Sequence, residues 1–323
     1  MKKTTIGGQA LIEGILMRGP SKYSIAVRKP DQEIDLVVKD LENNKINLMK
    51  IPFIRGVVSL FDSMKLGMDA LMYSASFYED DSDNFFDKHF KNNARKVENV
   101  FSIIASVALA LLFFFFIPTF LTSFVKLNHS SFSFNLIEGL IRIIIFFTYL
   151  FIVSHSKDMK RVFEYHGAEH KSIYCYEQGL DLTVENVRKQ SRLHPRCGTS
   201  FLFTVMIISI LVLGLVGWPN PLMRMLYRII LLPVIVSISY EINRLIGKYD
   251  NTITALLVKP GLWVQKYFTV REPDDKMIEV AILALKSVIP EKEDEDLFTA
   301  FAEENAQANA FTSFDRTSYL FSA

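Results

Sequence analysis

Long apolar runs set the pattern of hydrophobic and polar positions along this chain. The first, at residues 100–125, carries no charged side chain, and a helix of that length can cross a hydrocarbon layer of about 30 Å. The second contains Glu138 and Arg142, which are four residues apart and can pair on one helix face. The pattern predicts four transmembrane helices, at residues 100–125, 136–154, 199–218 and 222–242.

Shorter periodic segments flank these runs. Partial period-two alternation at Tyr23–Arg28 and Ile34–Val38 predicts a β-hairpin. From Ile54 to Met72 apolar residues recur at helical spacing, which predicts an amphipathic helix on the membrane or on the spans. A short strand at residues 46–49 and helices at residues 85–98 and 274–289 are also expected.

These elements predict the fold class: an α-helical membrane protein with four transmembrane helices, a small α+β cytoplasmic N-terminal part and a cytoplasmic helical C-terminal part. The expected divisions are a Gly-rich start, β-hairpin and amphipathic helices (1–98), a transmembrane hairpin (99–155), a His/Cys loop (156–198), a second transmembrane hairpin (199–243), interfacial and cytoplasmic helices (244–290) and a mobile tail (291–323). Pro260 interrupts the apolar stretch of the fifth part, which fits two interfacial helices or a re-entrant hairpin; the flanking Lys259 and Lys266 favour the interface.

Basic residues indicate the orientation, because Lys and Arg near span ends stay on the cytoplasmic side. The loop between the first two runs holds only Lys126. The central loop carries Lys157, Lys160, Arg161, Lys171, Arg188, Lys189, Arg192 and Arg196. Both termini and the central loop are therefore expected to face the cytoplasm.

Composition narrows the expected partners. Half of the residues are hydrophobic and the net charge is only +1, which argues against a nucleic-acid partner bound by a basic patch. The lipid bilayer is the expected surrounding, and a protein partner or a second copy of the chain is expected to use the N-terminal amphipathic helix or the Phe-bearing tail. Cys175 and Cys197 both fall on the cytoplasmic loop, where a structural disulfide is disfavoured.

The candidate chemistry is concentrated on that loop, which holds four of the six histidines between His155 and His194. His166 and His170 are four residues apart, so a helix projects them from one face, with Glu169 beside them in an H-x-x-E-H pattern. His194 and Cys197 follow and offer a further imidazole and a thiolate. This set favours a zinc site over surface histidines on a juxtamembrane helix.

The ligand set admits two kinds of zinc site. Four ligands, His166, His170, His194 and Cys197, make a closed structural site. Three of them with water at the fourth position make a catalytic site, in which Glu169 is the general base toward that water.

Two other features have their own hypotheses. Cys197 precedes an apolar helix, where a thiolate nucleophile with His194 or His170 as its base ranks second to metal binding. The Gly-rich start, residues 7–20, lacks phosphate-loop spacing and is interpreted as tight backbone turns. With Glu13 and Arg18 it is also expected to approach the histidine loop. Glu241 is interpreted as a helix-end residue paired with Arg244.

Several of these motifs together resemble the YqhQ-like family of bacterial multi-pass membrane proteins, which are described as predicted metal-dependent enzymes. They are Gly7–Pro20, Arg55–Val57, Glu164–Lys171, His194–Ser200 and Arg271–Pro273. The resemblance implies the bacterial inner membrane as location and a metal site at His166, Glu169, His170, His194 and Cys197. It implies no substrate.

Two functional hypotheses follow. The first is a zinc-dependent hydrolase that acts on a peptide or lipid-linked substrate at the cytoplasmic face of the membrane. The second is a non-enzymatic scaffold or accessory factor whose structural metal site holds the loop while other segments bind a protein partner. A transporter is a weaker third, since the spans contain few polar groups that would line a path.

Overall fold

The computed structural model describes residues 3–41, 51–78, 94–124, 131–215, 221–249 and 252–291. Strands are β1 (Gly7–Leu11), β2 (Gly14–Arg18), β3 (Lys22–Arg28) and β4 (Ile34–Asp40). Helices are α1 (Ile54–Ala75), α2 (Ala94–Leu111), α3 (Ile117–Ser123), α4 (Ser131–Ser154), α5 (Lys157–Glu177), α6 (Val184–Arg188), α7 (Gly198–Gly214), α8 (Pro221–Lys248), α9 (Thr252–Val264) and α10 (Asp275–Lys286). Two π-helical turns, Leu112–Phe116 and Gln265–Thr269, join α2 to α3 and extend α9.

The four strands form one antiparallel sheet in the order β1-β2-β3-β4. The predicted hairpin is confirmed as β3 and β4, whereas β1 and β2 occupy the Gly-rich start, where only turns were expected. A two-residue loop joins β1 to β2, and Glu13 in that loop has a φ of 50°. Gly14 follows where a side chain has no room, because a Cβ there would lie 2.5 Å from the Ala26 carbonyl oxygen.

Both faces of β2 and most of β3 are buried, whereas β4 at the sheet edge is largely exposed. Met17 and Ala26 belong to a core shared with α5 and α10. Leu16 and Ile25, one position away on the same strands, pack with Ala70 of α1 on the opposite face. Side chains alternate between the two faces of a strand, so the continuous apolar run of β2 fits a sheet that is covered on both sides.

Among the described residues, three helical segments are long and apolar enough to cross a membrane, at residues 100–123, 135–154 and 226–246. They confirm the predicted helices at three of the four apolar runs. The third run forms α7, an apolar helix of 17 residues, which is shorter than the others. A four-span topology is therefore not established by helix length alone.

The chain forms two compact units. One contains residues 1–78, 150–208 and 233–323, and includes the sheet, α1, α5 and α10. The other contains residues 79–149 and 209–232. The long apolar helices α4, α7 and α8 each contribute to both units.

A polar network lies within the second unit. Arg142 donates to Glu138 at 3.3 Å, which confirms the pairing expected from their spacing. Arg228 also donates to Glu138, on the other carboxylate oxygen. Asn135 donates to the Leu213 carbonyl oxygen at 2.8 Å. Since buried charges are costly unless they are paired and hydrogen-bonded, these bonds explain how an apolar helix carries Glu138 at 1% exposure.

The remaining predictions divide into three groups. The C-terminal helix is confirmed as α10, and Asp274 caps it by accepting a hydrogen bond from the Met277 amide at 2.9 Å. The break expected at Pro260 is absent, because α9 continues through that residue. The strand at residues 46–49, the acidic run at residues 79–83, most of the helix at residues 85–98 and the tail beyond residue 291 lie outside the described residues.

Gly167 of α5 packs closely against residues 271–273, the segment that precedes α10. A Cβ at Gly167 would lie 2.0 Å from the Arg271 carbonyl oxygen. The Arg271 amide donates to the Phe163 carbonyl oxygen at 2.9 Å, and its guanidinium donates to the Ser154 carbonyl oxygen at 2.7 Å. This close approach holds Thr269 beside the helix face that carries His166.

We expect Gly167→Ala to destabilise the protein by roughly 1 to 3 kcal/mol, since the new methyl group forces two backbone segments apart. Thermal unfolding of the detergent-solubilised protein measures the effect. Gly179→Asn is the control, because Gly179 has a φ of 69° and open space around a Cβ, a conformation that Asn tolerates. Equal melting temperatures for the two variants would contradict the close packing described.

Candidate metal centre

Three of the four predicted ligands converge in the interior of the first unit. The possible ligand atoms of His166, His170 and Cys197 all lie within 4.8 Å of one another. His166 Nε2 and Cys197 Sγ are 3.3 Å apart. The two imidazoles come from one face of α5, as their four-residue spacing predicts, and Cys197 comes from the loop before α7. All three residues are fully buried.

Backbone carbonyls set the protonation of both imidazoles. His166 Nδ1 lies 2.8 Å from the Thr269 carbonyl oxygen, and His170 Nδ1 lies 2.6 Å from the Arg192 carbonyl oxygen. A carbonyl only accepts, so Nδ1 is the protonated nitrogen in each ring. Each Nε2 atom then carries the ring's lone pair: that of His166 faces Cys197 Sγ, and His170 Nε2 has no partner among the described residues. This arrangement, an outer Nδ1–H bond and an inner lone pair, is typical of metal-binding histidines.

A glutamine side chain fixes the loop that delivers Cys197. The Gln265 side chain accepts from the His194 amide and donates to the His194 carbonyl oxygen, both at 2.9 Å. Cys197 follows three residues later, and its amide donates back to the His194 carbonyl oxygen at 3.3 Å. The loop is therefore anchored by two side-chain bonds from the π-helical turn that also supplies the Thr269 carbonyl to His166.

Glu169 lies beside this trio as a buried carboxyl group. Its Oε2 is 4.0 Å from His166 Nε2, and neither of its oxygens has a hydrogen-bond partner among the described residues. Burial raises the pKa of Glu169 to about 8, against a small opposing effect of the Gly8 backbone. An unpaired buried carboxyl is expensive, so its retention at this position points to a role with a ligand.

Burial keeps the side chains of the trio uncharged at neutral pH. Burial lowers the pKa of His166 to about 4 and that of His170 well below its ordinary value, so both rings are neutral at pH 7. Burial also raises the pKa of the Cys197 thiol to about 12. A thiol of that kind is a poor nucleophile by itself, which weakens the Cys–His hypothesis. A bound cation favours the thiolate and the carboxylate together.

The fourth predicted ligand, His194, occupies a neighbouring cluster instead. Its Nδ1 accepts from the Arg196 amide at 3.3 Å, and its Nε2 lies 3.5 Å from Glu177 Oε2. His194 Nε2 also lies 3.4 Å from an Arg196 guanidinium nitrogen, so both ring nitrogens have polar neighbours outside the trio. The His170 and His194 ring centroids are 5.5 Å apart.

Glu177 is the residue of this region that the sequence did not reveal. It is fully buried at the end of α5, accepts from the Thr4 amide at 2.9 Å and pairs with Arg196. Burial acts to raise its pKa, but Arg196 and His194 outweigh burial and hold the pKa at about 2. Its partners lie 173 and 19 positions away in the chain, and no local motif signals such a pairing.

The Gly-rich start approaches the histidine helix, as the sequence suggested. A Cβ at Gly8 of β1 would lie 2.9 Å from Glu169 Cγ, so glycine is needed for the strand to pass over this carboxyl. Glu13 pairs with Arg161 and accepts from the Tyr165 hydroxyl at 3.2 Å, both on α5. The β1–β2 hairpin thus closes the centre on the side of Glu169.

In its described residues, this is a mostly helical protein with three membrane-length apolar helices, a small antiparallel sheet and a buried His/His/Cys cluster. The chain belongs to the family described as "Protein of unknown function (DUF1385)", which matches residues 51–291. That range contains every residue of the cluster and Glu169.

A similar protein is "Uncharacterized protein YqhQ" of Bacillus subtilis (strain 168). It is 36% identical over 297 residues, which cover 88% of this chain and 92% of the relative. The similarity confirms the family that the motifs indicated. No solved structure matches the chain.

We expect Gln265→Leu to loosen the loop that carries Cys197, because it removes both side-chain hydrogen bonds to the His194 backbone, and a buried amide that loses its acceptor costs about 1 to 3 kcal/mol. Limited trypsin digestion measures this, since Lys189, Arg192 and Arg196 lie on or beside the loop. Cleavage there is expected to accelerate.

Gln190→Leu is the matched control for this variant. The Gln190 side chain lies near the same loop but bonds only the Asn186 carbonyl oxygen, at 3.1 Å. Equal cleavage rates in the two variants would show that Gln265 does not anchor the loop.

Proposed function

We propose that this protein is an integral membrane metalloprotein with a zinc ion held by His166, His170 and Cys197, and that it acts as a zinc-dependent hydrolase at the cytoplasmic face of the membrane. The observation that carries the proposal is the convergence of three donor atoms with an unpaired buried carboxyl group beside them. Hydrogen bonds from the ring Nδ1–H groups to backbone carbonyls fix the two imidazoles for that task.

The donor set fits zinc. Imidazole nitrogens and a thiolate are its preferred ligands, and catalytic sites use three protein ligands where structural sites use four. Zinc supplies a strong Lewis acid that lowers the pKa of water it holds to about 7. The two rings are already neutral, so they bind a cation without losing a proton, and only the Cys197 thiol must release one.

Glu169 is the proposed general base. It follows His166 by three residues on α5, its carboxyl group lies beside the ligands, and no side chain among the described residues forms a hydrogen bond with its oxygens. A pKa near neutrality suits a group that accepts a proton and then returns it. The close passage of Gly8 keeps bulk solvent away from this carboxyl on one side.

Four membrane crossings are part of the proposal, and a parity argument supports them. Met17 of β2, Ala168 of α5 and Ala281 of α10 share one hydrophobic core, and elements that share a core lie on one side of a bilayer. The chain then crosses an even number of times in each interval between them. The first interval holds two membrane-length segments, and the second holds one, in α8.

Helix α7 is the proposed second crossing in that interval. The 17 residues of this apolar helix span about 26 Å at 1.5 Å per residue, close to the hydrocarbon thickness. Cys197 immediately precedes this helix, which puts the metal ligands near the membrane surface. The basic residues of the central loop assign this side to the cytoplasm, so a peptide or lipid-linked substrate at the inner leaflet suits the position.

A structural metal site is the second candidate, favoured by burial. His166, His170, Glu169 and Cys197 all have 0% exposure, and a closed site needs no access for substrate. In that case Glu169 supplies the fourth ligand, and the metal holds the α5 helix to the loop before α7. The protein is then a membrane scaffold or accessory factor.

We expect the purified wild-type protein to contain stoichiometric zinc, and His170→Ala and Cys197→Ala to lose most of it, because each removes one of three ligands. Elemental analysis by mass spectrometry measures the metal. His155→Ala and Cys175→Ala are the matched controls, since neither residue is part of the cluster. Zinc absent from the wild type, or unchanged in the ligand variants, would refute the metal centre.

Glu169→Gln separates the two functions. It keeps the shape of the side chain and removes only its basicity, so we expect zinc content and thermal stability to be retained and the cellular function to be lost. Complementation of a deletion strain measures function. Glu164→Gln is the control, because Glu164 lies on the same helix and pairs only with Lys160, at 3.8 Å. Loss of zinc from Glu169→Gln would favour the structural site, in which Glu169 is a ligand, and full complementation would refute its role as general base.

A further inference from the structure

Helix α1 buries small residues and exposes large apolar residues, which is the reverse of an amphipathic helix in a soluble protein. Its buried face is made of small residues: Gly56, Ser59, Ser63, Gly67, Ala70 and Ser74. Four of its large apolar residues are exposed: Ile54 is 43% exposed, Phe61 66%, Met64 54% and Met68 40%. Small residues between helices and large apolar residues facing outward are typical of helices in lipid.

The exposed face of α1 is apolar in the first half of the helix and carries charged residues in the second half. Between residues 51 and 64 every exposed residue is apolar, beginning with Ile51 at 46% exposure, and Asp62 is half-buried. The first exposed charge is Lys65, and Asp69 follows one turn later. The apolar exposure is therefore confined to the first half of α1.

The same first half packs on α8, one of the three membrane-length helices. Arg55 donates two hydrogen bonds to the Glu241 carboxylate, at 2.7 and 2.5 Å, a pairing the sequence had assigned to Arg244. The Ser237 hydroxyl donates to the Phe53 carbonyl oxygen at 2.6 Å. A Cβ at Gly56 would lie 2.9 Å from Tyr240 Cβ, so the two helices are in close contact.

The second half of α1 packs on the sheet instead. A Cβ at Gly67 would lie 2.2 Å from Gln9 Oε1 of β1. Ala70 belongs to the core formed with Leu11 and Leu16. One helix therefore joins a membrane-length segment to the soluble sheet.

Two distances along the helices agree: that from Ser237 to the end of the membrane-length segment of α8, and that from Gly56 to the first exposed charge of α1. Ser237 lies nine residues before Ile246, where the membrane-length segment ends, which is about 14 Å at 1.5 Å per residue. Gly56, which packs on Ser237 and Tyr240, is also nine residues before Lys65. A helix that rises from this depth brings Lys65 to the membrane surface, where a Lys side chain reaches the headgroups.

We infer that the first half of α1, from Phe53 to Met64, is inserted into the hydrocarbon region of the inner leaflet without crossing the bilayer, and that lipid tails cover its exposed face. The inference rests on the proposed crossing of the membrane by α8. A complete crossing by α1 is excluded by parity, since it would separate the sheet from α5, with which it shares a core.

Lipid suits this face better than a protein partner. Its outward residues are uniformly apolar, with no exposed polar group that would give a partner specificity. On α8, against which α1 packs, Val234 is likewise apolar and 46% exposed within the membrane-length segment. The one charge pair at this depth, Arg55 with Glu241, is directed between the two helices, as paired charges within a membrane are.

The test is fluorescence quenching of the full chain in vesicles of phosphatidylcholine with a minor fraction of phosphatidylglycerol. Trp218 and Trp263 are replaced by Phe, and single indoles are introduced by Phe61→Trp, Val234→Trp or Tyr78→Trp. Lipids brominated on the acyl chains are the quenchers. Val234→Trp reports on the α8 crossing, and Tyr78→Trp reports on the sheet end, where the Tyr78 hydroxyl donates to the Arg28 carbonyl oxygen.

The indole at position 61 is expected to lose most of its emission, like that at position 234, while the indole at position 78 is unaffected. Quenching at 234 but not at 61 would overturn the inference and leave the proposed membrane crossing intact. Quenching at neither position would overturn both. A blue-shifted but unquenched emission at 61 would indicate that a second copy or a partner covers the face, which also overturns the inference. Met64→Trp gives the same readout if Phe61→Trp does not fold.

Discussion

The proposed metal site depends on two hydrogen bonds, from His166 Nδ1 to the Thr269 carbonyl oxygen and from His170 Nδ1 to the Arg192 carbonyl oxygen. They fix the tautomer of each ring and leave both Nε2 lone pairs directed inward. The two carbonyls belong to segments far from α5 in the chain, so the site forms only when those segments are in place. Gly167 and Gln265 hold them there, through the close approach of Arg271 and the two bonds to the His194 backbone.

The same core also constrains the membrane arrangement. Because the sheet, α5 and α10 pack together, the segments between them return to one side of the bilayer. That requirement supports α7 as a crossing despite its short length, and it supports an α1 that enters the membrane without traversing it. This arrangement puts the proposed metal ligands near the membrane surface. Cys197 is the residue before α7, and His166 and His170 face it from α5.

Local patterns in the sequence predicted what depends on local spacing. The His166 and His170 pair, the β3–β4 hairpin, the capped helix α10 and three apolar helices all follow from periodicity or motif. The sequence could not separate Cys197 from His194, because the choice depends on Glu177 and Arg196, which occupy the His194 ring. Strands β1 and β2 were missed because glycines interrupt their short runs. The outward face of α1 was not predictable either, since periodicity does not say which face meets the protein.

The central claim is a metal ion bound by two imidazoles and one thiolate. X-ray absorption at the zinc edge of the purified, detergent-solubilised protein tests it most directly, because sulfur and nitrogen ligands differ in distance, about 2.3 Å against about 2.0 to 2.1 Å. The account predicts one sulfur ligand and two imidazole nitrogens, with one further oxygen, and loss of the sulfur contribution in Cys197→Ser. A zinc shell without sulfur, or one unchanged by Cys197→Ser, would contradict it.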